Sequence, residues 1–511
     1  MTAPEHLDVL IVGAGLSGIG AACHLERDRP GTSYAVLESR GATGGTWDLF
    51  RYPGVRSDSD LHSFGYAFRP WTAERSIATG PEVLEYLRAT AAEYGVDRRV
   101  RLHHRVGRAE WSTAEARWAV DVERTDTGQR VRLTCGWLFT ACGYYRYDRG
   151  HTPAFDGTGR FAGRVVHPQH WPDDLDHAGL RVAVVGSGAT AVTVVPALAE
   201  TAAHVTMVQR TPSYVLPLPS VDPVARAVRR VLPGPRAHAF LRWKAVAEER
   251  AIYRLSRRFP RAARRALRWA AARRLPEGYP VGEHFDPPYE PWDQRLCVAA
   301  DGDLFRSIRE GRASVVTDHV EAFTERGLRL RSGREVEADV VVTATGLELV
   351  PFGGIELAVD GADVDVPSTV MYKGLMLSGV PNFSAAVGYT AAAWTLKVGL
   401  VLEHWCRLLA HMDAHGHASC RPVLPDRPMA TRPVFDFGAG YVQRSVGALP
   451  LQGDRAPWVM PADYRADARA LRRGPVDGPD LRFSPWPTWP SGDGADREAV
   501  LARGAASAGR R

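Results

Sequence analysis

The sequence predicts an α/β protein with two Rossmann-like domains that each bind a dinucleotide. Two glycine motifs carry this prediction, because each follows a short apolar run, beginning near residues 7 and 181, and opens a helical pattern. A third observation is a helical, Arg-rich stretch at about 222–280, which predicts an insertion in the second domain. The 511 residues are enough for two or three domains whose cores need no disulfides.

The first glycine motif has every element that a dinucleotide site requires. The run LDVLIV ends in Gly13, and Gly15 and Gly18 open a helix that leads to the apolar run 33–37. The first glycine makes the tight turn, the second lets the backbone approach a pyrophosphate, and the third lets the helix pack on the strand. Glu38 ends the second strand, where a carboxylate accepts hydrogen bonds from a ribose. A purely structural turn is the alternative.

The second motif predicts a different nucleotide. Gly186 and Gly188 repeat the pattern, with the small residue Ala191 in the third place, and the following strand leads into Arg210 and Thr211 instead of an acid. A guanidinium binds a 2′-phosphate that a carboxylate would repel, so this site favours NADPH, and FAD is assigned to the first site. An Arg210 that only caps a strand in solvent is the alternative.

Cysteine usage argues against a metal site and against a flavin disulfide reductase. The six cysteines form no CxxC pair and no zinc spacing, and Cys23 stands alone in the first predicted helix. A reducing cytoplasm fits this pattern. The first residues lack the layout of a signal peptide, and the most apolar stretch, 182–199, is interrupted by glycine and proline, so we expect no membrane-spanning helix.

The charge balance gives little indication of a nucleic-acid partner. Lys and Arg number 64 against 58 acidic residues, a net charge of +6. The stretch FPRAARRALRWAAARRLPEG has the composition of a basic amphipathic helix, which can lie on an anionic bilayer. We favour the alternative, a helical insertion with solvated Arg whose inner face covers the active site, and keep peripheral membrane contact as a minor hypothesis.

Two signatures make the sequence resemble the flavin-dependent monooxygenases of the Baeyer–Villiger type. FAGRVVHPQHWP matches the pattern FxGxxxHxxxWP through Phe161, Gly163, His167 and Trp171, and GGTWDLFRYPGVRSD at 44–58 fits GGxWxxxxYPGxxxD. Related N- and S-oxygenases usually end the first pattern in Tyr. Segments such as HPQHWPDDLD, PWDQRLC and SGVPNF are most similar to the ethionamide-activating branch of this family.

The resemblance implies a discontinuous FAD domain interrupted by an NADPH domain. We expect the FAD domain at 1–148 and 376–474, the NADPH domain with its helical insertion at 149–375, and a loosely ordered tail at 475–511. The family returns to its first domain after an ATG turn, which is Ala344–Gly346 here. It also implies that His167 lies near the interdomain linker, although a hydrogen-bonded structural histidine is the role that we favour.

The family's reaction converts a ketone to an ester or lactone through a C4a-peroxyflavin, formed after NADPH reduces FAD, and sulfur oxidation is a plausible second activity. The match of PWDQRLC to the family's active-site segment implies that Arg295 stabilises negative charge in the reaction, with Asp58 as its carboxylate partner. An ion pair at a surface or domain contact is the alternative for Arg295, and a helix cap is the alternative for Asp58.

The resemblance also implies that Gly45, Thr46 and Trp47 line the flavin. Gln294 stands where the family often has a Lys that touches the 2′-phosphate, so NADPH selectivity would depend mainly on Arg210. The expected partners are O2 and a small ketone or sulfur-containing substrate, and the oligomeric state stays open. The alternatives are a flavin N- or S-hydroxylating monooxygenase and, in another class, a flavin redox sensor without catalytic activity.

Overall fold

The computed structural model describes residues 4–294, 296–435 and 438–486, and it contains both α-helices and β-strands. In chain order the strands are β1 (His6–Val12), β2 (Tyr34–Leu37), β3 (Val100–Arg101), β4 (His104–Ser112), β5 (Arg117–Arg124), β6 (Arg130–Thr140), β7 (Arg164–Val166), β8 (Arg181–Val185), β9 (His204–Gln209), β10 (Val215–Leu218), β11 (Cys297–Ala300), β12 (Ala313–Thr317), β13 (Val320–Thr324), β14 (Gly327–Leu330), β15 (Glu335–Glu337), β16 (Val340–Thr343), β17 (Glu356–Val359), β18 (Ala362–Asp363), β19 (Met371–Tyr372), β20 (Met376–Leu377), β21 (Phe383–Ala385), β22 (His417–Pro422), β23 (Thr431–Pro433), β24 (Leu451–Gly453) and β25 (Leu481–Pro485). The α-helices are α1 (Leu16–Asp28), α2 (Thr46–Leu49), α3 (Leu61–Phe64), α4 (Gly80–Glu93), α5 (Ala189–Leu198), α6 (Pro223–Val231), α7 (Gly234–Arg258), α8 (Pro260–Ala272), α9 (Val281–His284), α10 (Asp303–Arg309), α11 (Trp394–Ala414), α12 (Gly440–Gln443) and α13 (Tyr464–Ala468).

The first large sheet contains the first glycine motif. Its strand order is β18-β17-β4-β5-β6-β1-β2-β3, and β21 also pairs with β6. β1 is parallel to both β2 and β6, whereas β4, β5 and β6 form an antiparallel meander. The continuous apolar run of β1 follows from burial on both faces, because Val9, Leu10 and Ile11 lie in cores on opposite sides of the sheet.

The second sheet contains the second glycine motif and is parallel throughout. Its order is β12-β9-β8-β16-β7, and its core includes Val184, Val194 and Val342. β8, α5 and β9 form the second strand–helix–strand unit. The predicted fold class, an α/β protein with two Rossmann-like units, is confirmed.

The chain returns to the first sheet before the domain boundary expected at 376. β16 is central in the second sheet, but β17 already pairs in parallel with β4 at the edge of the first sheet. The return therefore occurs between Thr343 and Glu356, a range that contains the ATG turn at 344–346. The short segment Glu356–Val359 carries no sequence signal of its own because it is an edge strand selected by a distant partner.

The expected loosely ordered tail is also corrected in part. β25 pairs antiparallel with β22, and Leu481 is buried in the core of the first unit. The Pro-rich composition concealed this strand, because edge strands tolerate proline. Residues 487–511 lie outside the described residues.

Helices α6 to α8 form the predicted insertion, and prolines separate them. α6 ends at Val231 before Pro233, and α8 begins at Pro260, because proline is favoured in the first turn of a helix and disfavoured inside one. Arg242 of α7 donates to three backbone carbonyls of the first unit, at His62, Ser63 and Gly65. None of the described helices is long and apolar enough to cross a membrane.

The buried ion pair between Lys397 and Asp467 generates a stability prediction. Lys397 Nζ lies 2.8 Å from Asp467 Oδ1, both side chains are almost fully buried, and Tyr389 donates to the other carboxylate oxygen. Burial lowers the pKa of Lys397. Asp467→Asn leaves a buried cation without its counter-charge. We therefore expect the free energy of unfolding, measured with urea, to fall by about 3–5 kcal/mol.

The control is Glu321→Gln, which removes the acid of the exposed pair Arg329–Glu321. It should cost less than about 1 kcal/mol because water screens that pair. Equal unfolding midpoints for Asp467→Asn and Glu321→Gln would contradict the assignment.

Candidate functional site

The first glycine turn has the shape of an anion cradle. Gly13 has a φ of 103°, and a Cβ built on Gly18 would lie 1.8 Å from the Gly13 carbonyl oxygen, so both positions require glycine. Gly15 is the N-cap of α1, with no side-chain cap and no acidic residue in the first turn of the helix. The helix N-terminus is therefore left to bind a negatively charged group, as a pyrophosphate would be.

Glu38 is fixed beside this turn. It is buried, with 4% of its surface exposed. Its Oε2 accepts from the Ala14 N–H at 2.9 Å and its Oε1 from the Arg40 N–H at 2.9 Å. These two backbone donors orient the carboxylate at the end of β2, where a ribose hydroxyl could reach its remaining lone pairs.

The loop before α2 packs directly on the first turn. The Gly44 N–H donates to the Ala14 carbonyl at 2.9 Å, and a Cβ on Gly45 would lie 2.8 Å from Gly15 Cα. Thr46 Oγ1 lies 3.3 Å from the Tyr147 hydroxyl. Sequence reasoning missed Tyr147, whose pKa is raised to about 12 by burial.

Trp47 and Asp48 hold this loop in place. The indole of Trp47 packs edge-on against Phe64 at 5.9 Å and is partly buried against the first core. Asp48 is buried and pairs with Arg40 at 2.7 Å and with Arg88 at 2.9 Å. Trp47 therefore contributes to the core as well as lying beside the turn.

The second glycine turn repeats this geometry. Gly186 has a φ of 143°, and its Cβ would lie 2.3 Å from the Ala344 carbonyl oxygen. Gly188 is the N-cap of α5, again without a side-chain cap or an acidic first turn, and a Cβ there would meet no atom within 4 Å. Ala191 is buried, where only a small side chain fits. The open space at Gly188 suits the close approach of a phosphate.

Two arginines lie beside this second turn. Arg210 is exposed after β9, and the Thr211 carbonyl accepts from Ser187 Oγ at 2.8 Å. Arg444 comes from the return segment of the first unit, and its Nη2 donates to the Leu347 carbonyl at 3.4 Å. Burial lowers the pKa of Arg444, the nearby charge of Glu348 opposes this shift, and the charge of Arg210 adds to it. Sequence reasoning missed Arg444 because nothing in its local sequence distinguishes it from the other arginines.

The segment FAGRVVHPQHWP contacts both crossings between the two units. His167 Nε2 donates to the Gly346 carbonyl at 3.1 Å, on the second crossing, and Gln169 Nε2 donates to the Arg146 carbonyl at 2.6 Å, on the first. His167 Nδ1 accepts from the Gln169 N–H at 3.2 Å, which fixes the ring tautomer. Burial lowers the pKa of His167. These residues contact both connections between the two units.

The other residues of this segment are structural. Phe161 is buried against Phe323 at 5.8 Å. A Cβ on Gly163 would lie 2.2 Å from the Asp339 carbonyl oxygen, and Trp171 packs against the second core.

The segment 44–58 reaches from the first turn to the second unit. A Cβ on Gly54 would lie 2.4 Å from the Thr193 carbonyl oxygen in α5. Arg56 pairs with Asp303 of α10, with Nη2 at 3.2 Å from Oδ1. This segment therefore contacts the first glycine turn directly and, at the second turn, the helix that begins there.

Of the two predicted catalytic residues, the structure describes one. Arg295 lies outside the described residues. Asp58 is partly buried, and Ser59 Oγ donates to its Oδ1 at 3.3 Å. The alternative role proposed for Asp58, capping of a helix, belongs instead to Asp60, which accepts from the His62 N–H at 2.7 Å as the N-cap of α3.

The cysteines give no redox pair. All six lie within the described residues and are free, and Cys142, which the sequence did not single out, lies nearest to the first turn. Its Sγ donates to the Val12 carbonyl at 3.3 Å, and burial raises its pKa to about 12. A neutral, single thiol of this kind cannot perform dithiol exchange.

Two ranges of the chain match known protein families. Residues 11–72 match the NAD(P)-binding Rossmann-like domain, and residues 77–356, more than half of the chain, match the flavin-binding monooxygenase-like family. The chain belongs to the flavin-binding monooxygenase family. The predicted recognition, the enzyme class, an NADPH-dependent flavin monooxygenase, and the cofactor pair, FAD and NADPH, are confirmed.

Two relatives are similar to this flavin monooxygenase over almost their whole length. The FAD-containing monooxygenase EthA of Mycobacterium tuberculosis is 51% identical over 484 residues, which cover 94% of this chain and 99% of that protein. EthA of Mycolicibacterium smegmatis is 50% identical over 481 residues, covering 94% and 97%.

Solved structures show the same fold. An oxidized steroid monooxygenase bound to NADP has a TM-score of 0.72 at 22% identity, over 94% of this chain and 100% of that chain. A crystal structure of OTEMO in complex with FAD and NADP has a TM-score of 0.70 at 20% identity, again over 94% and 100%. At these identities the likeness supports the architecture alone.

The contact at Gly54 generates a prediction for this flavin monooxygenase. Gly54→Ala places a Cβ against α5, so the two nucleotide sites should shift relative to each other while each stays intact. We expect normal FAD content but flavin reduction by NADPH slowed by up to about a hundredfold, because small misplacements of reacting groups are that costly. Stopped-flow absorbance measures the reduction rate.

The matched control is Gly95→Ala. Gly95 also has a positive φ, 69° against 81° for Gly54, but a Cβ there meets no atom within 4 Å. Equal reduction rates in the two variants would contradict the role assigned to the contact with α5.

Proposed function

We propose that this flavin monooxygenase is a Baeyer–Villiger enzyme that uses FAD and NADPH to insert one oxygen atom beside the carbonyl of a ketone, giving an ester or lactone. Oxidation of sulfur in small molecules is proposed as a second activity. The observation that carries the proposal is the packing of the segment 44–58 on the first turn at Gly15 and on α5 at Thr193. An enzyme that couples two cofactors needs both nucleotide sites in one fixed relation.

The residues at both turns fit the two cofactors. Gly13, Gly15, Gly18 and Glu38 would hold FAD, with Gly45, Thr46 and Trp47 beside it. Gly186, Gly188, Ala191, Arg210 and Thr211 would hold NADPH, and we add Arg444 to this set. When bound, NADPH supplies a hydride and FAD supplies the activated oxygen.

The residues of the chain have to stabilise charge and exclude water. Arg295 would provide a cation that cannot lose its proton, beside the negative charge that develops on oxygen when a carbonyl is attacked. Asp58 would orient that guanidinium. The neighbours of position 295 support this placement, because the Cys297 thiol lies 3.8 Å from the Ser187 carbonyl of the second turn and the Asp293 carbonyl accepts from Gly438 of the first unit.

A flavin N- or S-hydroxylating monooxygenase is the second candidate. Trp171 favours the first proposal, because that class usually has Tyr at this position. The close relatives are named monooxygenases, which argues against an inactive flavin redox sensor. The C4a-peroxyflavin route and the cytoplasmic setting stay predictions.

Arg295→Ala tests the proposed reaction. The substrates are linear, cyclic and aryl ketones, a sulfide and an amine, and products are identified by mass. We expect the wild-type protein to form esters or lactones, and the variant to keep flavin reduction by NADPH while ester formation falls by about 10²–10³-fold, the usual effect of losing one oxyanion-stabilising group.

Arg295→Lys is the conservative control, and it should restore only part of the activity because an ammonium lacks the planar fork of donors. Unchanged ester formation in Arg295→Ala, or a wild-type product profile limited to N- and S-oxides, would refute the proposal.

Arg210→Ala and Arg444→Ala test the 2′-phosphate site. Each variant removes a cation beside the same phosphate, so KM for NADPH should rise by roughly tenfold to a hundredfold, with little change for NADH. Steady-state kinetics with both coenzymes gives the ratio of KM for NADPH to KM for NADH.

The control is Arg160→Ala, an exposed arginine in the second unit away from the turn. If Arg444→Ala left the ratio of KM for NADPH to KM for NADH unchanged while Arg210→Ala raised it, Arg444 would be removed from the proposed site.

A further inference from the structure

The exposed apolar side chains of this protein are concentrated in the helical insertion. Nine of the twelve large exposed apolar residues found among the described residues lie between 223 and 272. Several are far more exposed than ordinary surface apolar residues, with Val231 at 80%, Trp269 at 60%, and Trp243 and Leu255 at 59%. The nine are Val224, Val231, Leu232, Phe240, Trp243, Ile252, Leu255, Phe259 and Trp269. Such concentrations mark interaction sites, whereas scattered single residues do not.

The same helices carry a large excess of positive charge. Residues 223–275 contain sixteen Arg and Lys and two acidic residues, Glu248 and Glu249, which is a net charge of +14. The whole chain has a net charge of +6, so the remainder has −8. The helical insertion is therefore strongly basic, whereas the rest of the chain has an excess of acidic residues.

Some of these cations attach the insertion to the body of the protein. Arg250 and Arg254 pair with Asp463, and Arg257 pairs with Asp293 at 2.6 Å.

Six other arginines are exposed and have no acidic partner within the described ranges: Arg230, Arg236, Arg258, Arg261, Arg265 and Arg273. Two of the six lie over exposed aromatic rings, Arg258 over Phe259 and Arg273 over Trp269, at 5.6 and 4.8 Å. The side of the insertion that faces away from the body thus combines unpaired guanidinium groups with exposed Trp, Phe and Leu.

We propose that helices α6, α7 and α8 form a face that docks on the surface of an anionic lipid bilayer. Guanidinium groups bind lipid phosphates, while Trp and Phe rings are stable at the level of the headgroups, where one side is apolar and the other wet. A nucleic acid would satisfy the charge but would leave Val231, Leu255 and Ile252 in water. The combination of charge and aliphatic side chains therefore favours a lipid surface.

The test uses the full-length protein loaded with FAD and vesicles of phosphatidylcholine, alone or mixed with phosphatidylglycerol. Co-sedimentation measures the bound fraction at low and high ionic strength. We expect binding to the mixed vesicles only, and binding that weakens but persists at high ionic strength, because salt screens the arginines but not the apolar side chains.

Two variants separate the two contributions. The triple variant Arg258→Gln, Arg261→Gln and Arg265→Gln should lower the partition coefficient by about a hundredfold, at about fivefold per basic residue. The double variant Trp243→Ala and Trp269→Ala should remove the part of the binding that persists at high ionic strength.

The matched controls carry the same changes elsewhere on the surface, with Trp486→Ala for the aromatic residues and Arg98→Gln, Arg309→Gln and Arg427→Gln for the basic ones. The FAD absorbance and NADPH oxidation of every variant, measured without vesicles, show that it is folded. Failure to bind mixed vesicles, equal loss of binding in the controls, or a Trp variant that binds like wild type would each overturn the proposal. Binding of wild type to heparin or DNA but not to vesicles would replace the lipid surface with a soluble polyanion.

Discussion

The close approach of backbone to backbone around the two glycine turns is the constraint on which the rest of this structure depends. The Cα of Gly15 meets Gly45, and the carbonyl of Thr193 meets Gly54, at distances that a Cβ would not allow. Both contacts are made by one segment, so the loop over the first turn and the edge of α5 are placed by the same fifteen residues, 44–58. The segment is therefore as much an interdomain connection as a lining for a cofactor. The ion pair between Arg56 and Asp303 strengthens the same connection with two largely buried side chains.

The parts of the fold that the sequence could predict are those with a local signal. Glycine spacing after an apolar strand identifies Gly13 and Gly186 because the turn, the helix start and the strand end lie within a few residues. β17 and β25 have no such signal, since each is defined by a partner strand more than fifty residues away. Arg444 was missed for the same reason, because its place beside Arg210 depends on tertiary packing. Of the two predicted catalytic residues, the described ranges include only Asp58, and the finding that Asp60 is the helix cap could not be read from SDSD, where either acid was acceptable.

Arginine has tasks in this protein that lysine does not share. The three lysines each bind internal partners: Lys244 pairs with Asp222 and Glu248, Lys397 pairs with Asp467, and Lys373 donates to the Pro475 carbonyl. Arginines supply the contacts between units and the surface charge. A guanidinium can donate to several carbonyls at once, as Arg242 does, and it keeps its charge on burial more readily than an ammonium does.

The helical insertion shows how these two uses of arginine meet in one element. If the insertion served only to cover the neighbouring unit, its outward side would be expected to carry polar residues, because exposed Trp and Leu have a free-energy cost in water. Instead, acids of the body, Asp463 and Asp293, neutralise the arginines that face inward, while the outward arginines stay unpaired beside apolar side chains. Such an arrangement is stable when a second surface of negative charge and low polarity covers the outward side for part of the time. A helix that only needed solubility would have required neither the aromatic residues nor so few acids.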